Sequence, residues 1–369
     1  MKLTDRINSW IHPWMLKYLR MQYRRKLALY RSRHPEAFKS ASNQHRQAHI
    51  KLWSRLVREV NCDWLDLYYG ISRSQDARFI PEDIFYGVIE RCLNNCNASG
   101  AFVEDKNDVC FYIPKEFQPK CIARYDRGVW FDNDFTPTSR VHAQELIRQH
   151  GGMMVGKPSM GSSGGANVRL WESSSVDLGY IEREFEGYLL QEVLKQEPKV
   201  ASINPNSLNT CRIMTFRRPW SGETSAIAGM LRLGCGNGIA DNLALGGVSC
   251  DVDENGALAE YAVDHDFGKF TEHPVSHQKF VGFIVPHYRE MCEAACKIAA
   301  KVPGYNLLSF DMITRSDLTP CVVEINSTSM TLAQLQTVRP LFGDETEQLI
   351  DWCAAHMKLD MFKHIRTWY

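Results

Sequence analysis

Residues 156–167 read GKPSMGSSGGAN, a lysine followed by a loop of small residues, flanked by Val155 and Val168. An apolar run of Met153, Met154 and Val155 leads in, and Val168, Arg169, Leu170 and Trp171 leave as a strand-like segment. A strand, a small-residue loop and a second strand suit the clamping of a phosphate chain. Small residues let the backbone approach oxygens closely, and successive N–H groups form an anion-binding concavity.

Around this stretch the chain is ordinary in bulk. Its 369 residues have room for two or three domains, and 44% hydrophobic with 23% charged residues is a globular composition. The formal net charge is zero, so nothing in the overall balance points to nucleic acid. The 12 cysteines form no CxxC pair. Cys92/Cys96 and Cys292/Cys296 are spaced like small buried residues of helices, and a zinc site lacks matching His/Cys pairs. No signal peptide is visible, and no apolar run reaches the roughly 20 residues of a membrane span. The expected address is therefore the reducing cytoplasm, with the inner face of the membrane as the variant to consider.

That variant comes from the first 60 residues, which read as helix broken at Pro35. Lys17, Arg20, Arg24, Arg25, Lys26, Arg31 and Arg33 interleave with Trp10, Trp14, Tyr18, Met21 and Leu27. Such a helix either lies on an anionic membrane or docks its aromatic side on the body, and interruption of the apolar side by Arg and Lys favours docking. Downstream, Pro81 opens a helix over residues 82–93, and Ser139 or Thr138 caps another ending near Arg148. Strands are expected at residues 120–125, 128–132, 188–194, 211–217 and 226–233. A hairpin is expected around Glu254-Asn255-Gly256. Helices are expected at residues 285–302 and 344–357.

A second chemical centre lies in residues 307–326. Strand alternation puts Glu324 and Asn326 on one face. If Arg315 and Pro320 close a four-residue turn, Asp311 lies opposite Glu324 on that face. Two carboxylates and an amide oxygen are hard ligands suited to Mg2+. The competing reading is that the acids pair with nearby Arg or Lys. No GxxxxGK[ST] or GxGxxG motif occurs. Asp266-Phe267-Gly268 spells a kinase tripeptide without the catalytic loop that should precede it, and is read as coincidence.

Residues 157–165 (KPSMGSSGG) resemble the KPSxGSSxG loop of D-alanine–D-alanine-ligase-like enzymes of the ATP-grasp superfamily. Gln191, Glu192, Val193 and Leu194 resemble its adenine hinge. Asp311, Glu324 and Asn326 resemble its magnesium triad. Within the superfamily the chain is similar to the sugar-transfer-associated group, which accompanies surface-polysaccharide gene clusters. Residues 203–215 (INPNSLNTCRIMT), 231–234 (LRLG), Asp241-Asn242, Gly246-Gly247, His273-Pro274, 282–286 (GFIVP), 78–81 (RFIP) and Phe85-Tyr86 carry that similarity.

The resemblance implies an α+β ATP-grasp fold, two subdomains clasping ATP. These would be residues 96–190 with the glycine loop and 191–369 with the metal site, after a helical region of residues 1–95. The Rossmann-like domain that usually comes first is not visible, and Ser327-Thr328-Ser329-Met330 replaces the usual proline-containing turn. By resemblance, Lys157 contacts phosphates, with Ser162, Ser163, Gly164 and Gly165 closing over them. Gln191, Glu192 and Leu194 hold adenine and ribose. Asp311, Glu324 and Asn326 hold one or two Mg2+. Arg212 stabilises the transferring phosphoryl group, while Arg232, Asn242 and His273 touch phosphate or substrate.

The function expected is a ligase joining a small or sugar-linked carboxylate to an amine through an acyl phosphate. A phosphotransferase acting on a hydroxyl, or a degenerate nucleotide binder, are the rivals. His265, Arg124 and Arg127 are further candidates for the acceptor pocket. A homodimer and peripheral membrane contact through the basic helix are the assemblies considered.

Overall fold

The computed structural model describes residues 3–94, 101–161, 165, 167–236, 238, 241–328 and 330–356. Two antiparallel sheets carry the fold. The smaller has the order β3-β2-β1-β6-β4-β5, with β1 at Cys121–Asp126, β2 at Val129–Phe131, β3 at Pro137–Thr138, β4 at Met153–Pro158, β5 at Arg169–Glu172 and β6 at Gly187–Glu192. The larger has the order β11-β10-β9-β8-β7-β12-β13. Its strands are β7 at Cys211–Arg217, β8 at Thr224–Leu233, β9 at Val248–Val252, β10 at Leu258–Val263, β11 at Lys269–Phe270, β12 at Leu307–Thr314 and β13 at Pro320–Asn326. The strands expected from sequence appear with ends shifted by a few residues. β6 runs past the expected division at residue 190.

Strand alternation sorts the larger sheet into two cores. Ile213, Leu231, Leu308, Phe310 and Met312 face a helix at Tyr288–Ala299. Met214, Phe216, Met230 and Leu307 face the other way, against the N-terminal helices and the last helix, Thr346–His356. The Tyr288–Ala299 helix starts later than residue 285 because Pro286 is followed by His287 in a left-handed conformation (φ 56°). The smaller sheet buries Ile122, Met154, Tyr188 and Leu190 beneath the helices Arg140–His150 and Leu178–Glu184. Ser139 caps the first of these by accepting from His142 N at 3.1 Å.

No strand occurs among residues 3–94; they form α1 (Leu3–Arg33), α2 (Asn43–Trp53), α3 (Asp63–Ser72) and a helical run, α4, over residues 82–93. α4 is not a plain helix. Its middle, Phe85–Ile89, is a π-turn, a widening often found at functional sites. α1 docks on the body: Arg20 pairs with Glu59 (3.4 Å), Lys26 with Glu82 (2.7 Å), Arg31 with Asp63 (3.2 Å) and Arg33 with Asp266. Leu27 and Tyr30 join Trp64, Tyr68 and Phe267 in a local core, so the Asp266-Phe267-Gly268 tripeptide serves helix docking here. No helix among the described residues is long and apolar enough to cross a membrane.

At the base of this region α3 meets the turn after α1 at backbone distance. A Cβ on Gly70 would stand 2.0 Å from the Ala37 carbonyl oxygen. Gly70→Ala gains about 1 kcal/mol of helix propensity but forces backbone apart, which costs about 1–3 kcal/mol or more. The steric cost wins. Urea unfolding should show a loss of about 1–2 kcal/mol, whereas a gain in stability would mean that α3 does not sit this close.

Candidate active site

The two sheets and the N-terminal helices enclose one cleft of about 830 Å3. On the smaller-sheet side, β4 pairs with β6 so that Val155 lies opposite Gln191 and Lys157 opposite Leu189. This register turns Lys157 and Gln191 to the same face. Both line the cleft, as do Glu192 and Leu194 at the exit of β6, and Gly165 from the loop. Gly161 (φ 71°) and Gly165 (φ 77°) take left-handed conformations that other residues adopt only with strain. Ser162, Ser163 and Gly164 lie outside the described residues.

The larger sheet provides the floor. Asp311 on β12 is in register with Arg212 on β7 and with Glu324 on β13. The turn is residues 315–319, one longer than expected, and Thr314 pairs with Pro320. A bulge between Asp311 and Met312 takes up that residue and restores the Asp311–Glu324 pairing. The Arg212 Nε and Nη2 donate to the two Asp311 oxygens, both at 2.7 Å. Arg232 Nη1 adds a third bond at 2.8 Å, and its Nη2 meets Asp241 at 3.0 Å. Burial alone would raise the Asp311 pKa, but Arg212 and Arg232 outweigh it and hold the carboxyl below its ordinary value. For Asp241 the balance runs the other way: burial outweighs Arg232 and raises it.

Two lysines face this floor. Lys157 is 8% exposed, and its Nζ donates to the Val323 carbonyl at 3.3 Å. Burial, and then the neighbouring Lys106, push its pKa down to about 8. Lys106 Nζ lies 3.0 Å from Glu324 Oε1. Sequence reasoning missed Lys106, which sits in a polar turn with no motif of its own. Pairing of Asp311 with arginine and of Glu324 with lysine is the competing arrangement noted from sequence, and it coexists here with the metal-type donor set. A carboxylate offers about four lone-pair positions. The three arginine bonds leave one on Asp311, Glu324 is a third exposed, and Asn326 brings an amide oxygen, its Nδ2 being buried with no hydrogen-bond partner among the described residues. This oxygen-rich set fits a divalent cation completed by water and ligand oxygens.

Arg232 and Asn242 line the cleft, although the Asn242 Oδ1 also caps Ala244 N at 2.9 Å. His273 does not line it; its Nε2 is 3.0 Å from the Gly234 carbonyl and its Nδ1 accepts from Ser276 N at 3.1 Å. His265 lines the cleft. Arg124 lies behind it, 3.4 Å from Asn107 Oδ1, and Arg127 is on the surface beside Glu186. The far wall was not expected from sequence: Tyr23, Lys26 and Tyr30 of α1, with Glu82, Tyr86 and Glu90 of α4.

A sequence profile described as sugar-transfer associated ATP-grasp matches residues 136–347. The chain belongs to this ATP-grasp family. Its fold is accordingly the ATP-grasp fold, preceded here by a helical region. No curated protein matches the chain. Solved structures of similar fold include the ATP-grasp ligase PsnB complexed with minimal precursor, Mg and ADP. It is 13% identical, with 71% of this chain and 61% of that chain covered and a TM-score of 0.36. An N5-carboxyaminoimidazole ribonucleotide synthetase from Thermotoga maritima is 11% identical, with coverage of 65% and 51% and a TM-score of 0.34. Biotin carboxylase from Campylobacter jejuni is 11% identical, with coverage of 70% and 47% and a TM-score of 0.40. The chain thus spans about half to three fifths of the length of these solved proteins.

The depressed Lys157 pKa has a stability consequence. Below pH 8 the folded protein carries a buried ammonium that the unfolded chain carries in water, so the charge destabilises the fold. As pH rises from about 8 toward 10.5 the folded state loses that proton first, and the penalty disappears. Lys157→Met should therefore stabilise the apo-protein by about 1–3 kcal/mol at pH 7, with the gain shrinking by pH 10. Urea titrations at both pH values check this; a destabilised variant at pH 7 would contradict it.

Proposed function

We propose that this chain is an ATP-dependent carboxylate–amine ligase acting through an acyl phosphate. Its acid would be a sugar acid or an amino acid, in surface-polysaccharide or other glycan synthesis. The observation that carries the reading is one cleft with Lys157, Gln191, Glu192 and Leu194 on one side and Arg212, Asp311, Glu324 and Asn326 on the other. Membership of a sugar-transfer associated family supports the glycan setting.

The nucleotide would enter between the two sheets. Val155, Leu194 and Leu208 offer apolar surface for a base, and Gln191 and Glu192 offer polar groups at its edge. Lys157, nearly buried and with the Val323 carbonyl as its one hydrogen-bond partner among the described residues, is placed for the phosphate chain. A bound polyphosphate would offset the cost of burying its charge and hold it protonated. Glu324, Asn326 and the remaining Asp311 position would hold Mg2+, which when bound neutralises phosphate oxygens. Arg212 spends three donor bonds on Asp311 and Thr331, and the rest of its five N–H groups are left for the transferring phosphoryl group. The fork on Asp311 fixes that guanidinium before substrate arrives, which is where electrostatic preorganisation acts.

In the first step an acceptor carboxylate oxygen attacks the γ-phosphorus. The bond to the β–γ bridging oxygen breaks and ADP leaves. In the second step an amine attacks the acyl carbon, phosphate leaves, and the amine nitrogen loses a proton. Phosphoryl transfer needs positioning and charge neutralisation more than covalent help, which suits a site built from fixed cations. Closure of the glycine loop would keep water from the acyl phosphate.

Glu324 is partly exposed and outside the packed cores, so Glu324→Ala should leave the fold intact. ATP turnover should fall by about 100-fold or more, read as phosphate or ADP release beside an unchanged circular-dichroism melt. Full turnover would remove Glu324 from the metal site. A phosphorylated acceptor in place of an amide would convert the reading to a phosphotransferase.

A further inference from the structure

We propose that α1 and α4 form the acceptor subsite of this enzyme, and that the subsite takes a carboxylated sugar held by Lys26. This rests on the ligase reading and deepens it. Both helices lie outside the family match at residues 136–347, yet their side chains wall the same cleft as Arg212 and Asp311.

The electrostatics of that wall select an anion. Lys26 and Glu82 form a 2.7 Å ion pair in which the lysine side chain is 35% exposed and the glutamate 1%. The carboxylate is hidden and also accepts from Ala333 N at 3.3 Å. Both side chains of the pair line the cleft, and the lysine is the more exposed of the two. Burial works against its charge, but Glu82 outweighs burial and keeps the lysine protonated. The carboxylates of this wall are already engaged, Glu82 by Lys26 and Glu90 within its own surroundings. Elsewhere in the cleft Asp241 is held by Arg232 and Glu192 by the Lys120 N–H, and the capacity left on Asp311 and Glu324 is the metal position of the ligase reading. On this wall an ammonium-bearing acceptor meets acids that already have partners and are the less exposed groups, whereas a carboxylate meets the more exposed lysine of the pair.

The rest of the wall favours a ring bearing hydroxyls. Tyr23 and Tyr86 stack with centroids 5.9 Å apart and planes 9° apart, and Lys26 Nζ lies 5.5 Å from the Tyr23 centroid and 5.6 Å from that of Tyr30. Three tyrosines give apolar ring surface with polar tips. Gln334, Thr331 and His265 border the same space and can bond hydroxyls. The cavity, at about 830 Å3, lies near the top of the range of about 300–1,000 Å3 for small-molecule sites, room for a nucleotide with a second ligand beside it.

The test uses hydroxylamine as the amine, since it converts an acyl phosphate to a hydroxamate with release of phosphate. D-Glucuronate is the probe, D-glucose the neutral control and L-glutamate the amino-acid control. Binding of MgATP is measured separately. The full-length protein should form hydroxamate from glucuronate and not from glutamate. Lys26→Met should raise KM for glucuronate about tenfold or more, with kcat within about twofold and MgATP affinity unchanged, and Lys26→Arg should recover most of the loss. Because Lys26→Met strands a buried carboxylate, the double variant Lys26→Met/Glu82→Gln, which should melt like wild type, must show the same KM defect. An unchanged KM in either Met variant, hydroxamate from glutamate alone, or no hydroxamate from glucuronate while MgATP binds normally would each overturn the sugar-acid subsite. Failure of MgATP to bind would instead overturn the ligase reading beneath it.

Discussion

The Asp311 carboxylate receives a two-pronged bond from Arg212 and a third bond from Arg232, nearly out of reach of solvent. Three strands, β8, β7 and β12, are thereby tied at one level, and β13 is brought alongside by the bulge after Asp311. A buried pair of this kind contributes little net stability when intact, but removing one partner costs about 3–5 kcal/mol. Its value lies in geometry: two guanidinium groups and two carboxylates are fixed at the floor of a cleft, and each keeps some bonding capacity for a ligand.

The same sheet face explains why a helical region can matter to chemistry. Met214, Met230 and Leu307 project on the Asp311 side and bury against Ile84, Phe85 and Val88 of α4. α1 then lies against α3 and α4, joined to Glu82 by Lys26. The hydrophobic packing that holds the N-terminal helices thus also carries Tyr23, Lys26 and Tyr86 to the open end of the cleft. In α4 the π-turn at residues 85–89 changes the pitch of the run just where Tyr86 leaves the core.

The Lys157 strand with its glycine loop and the acid-bearing hairpin were legible in the sequence as local structure bordering one cleft, because both are contiguous. Lys157 and the glycines are contiguous, and Asp311, Glu324 and Asn326 sit on one hairpin with period-two alternation. The hairpin expectation was right about the pairing and off by one in the turn, since a bulge leaves no reliable mark in a single sequence. Lys106 and the α1 wall were not legible. Their neighbours in space are far away in sequence, as Lys106 to Glu324 and Lys26 to Glu82 show, and only tertiary packing decides those contacts. His273 carries the opposite lesson: a histidine in a distinctive motif turns out to hold a turn together through Gly234 and Ser276.

The two-sided clamp is tested most directly by a crystal structure of the protein with Mg2+ and a non-hydrolysable ATP analogue. The account predicts the triphosphate between Lys157 and the Glu324–Asn326 edge of β13, within about 3 Å of the Lys157 Nζ, with the space before Lys26 left open. A triphosphate seated against Lys26 and the α1 tyrosines, with Lys157 still on the Val323 carbonyl, would contradict it.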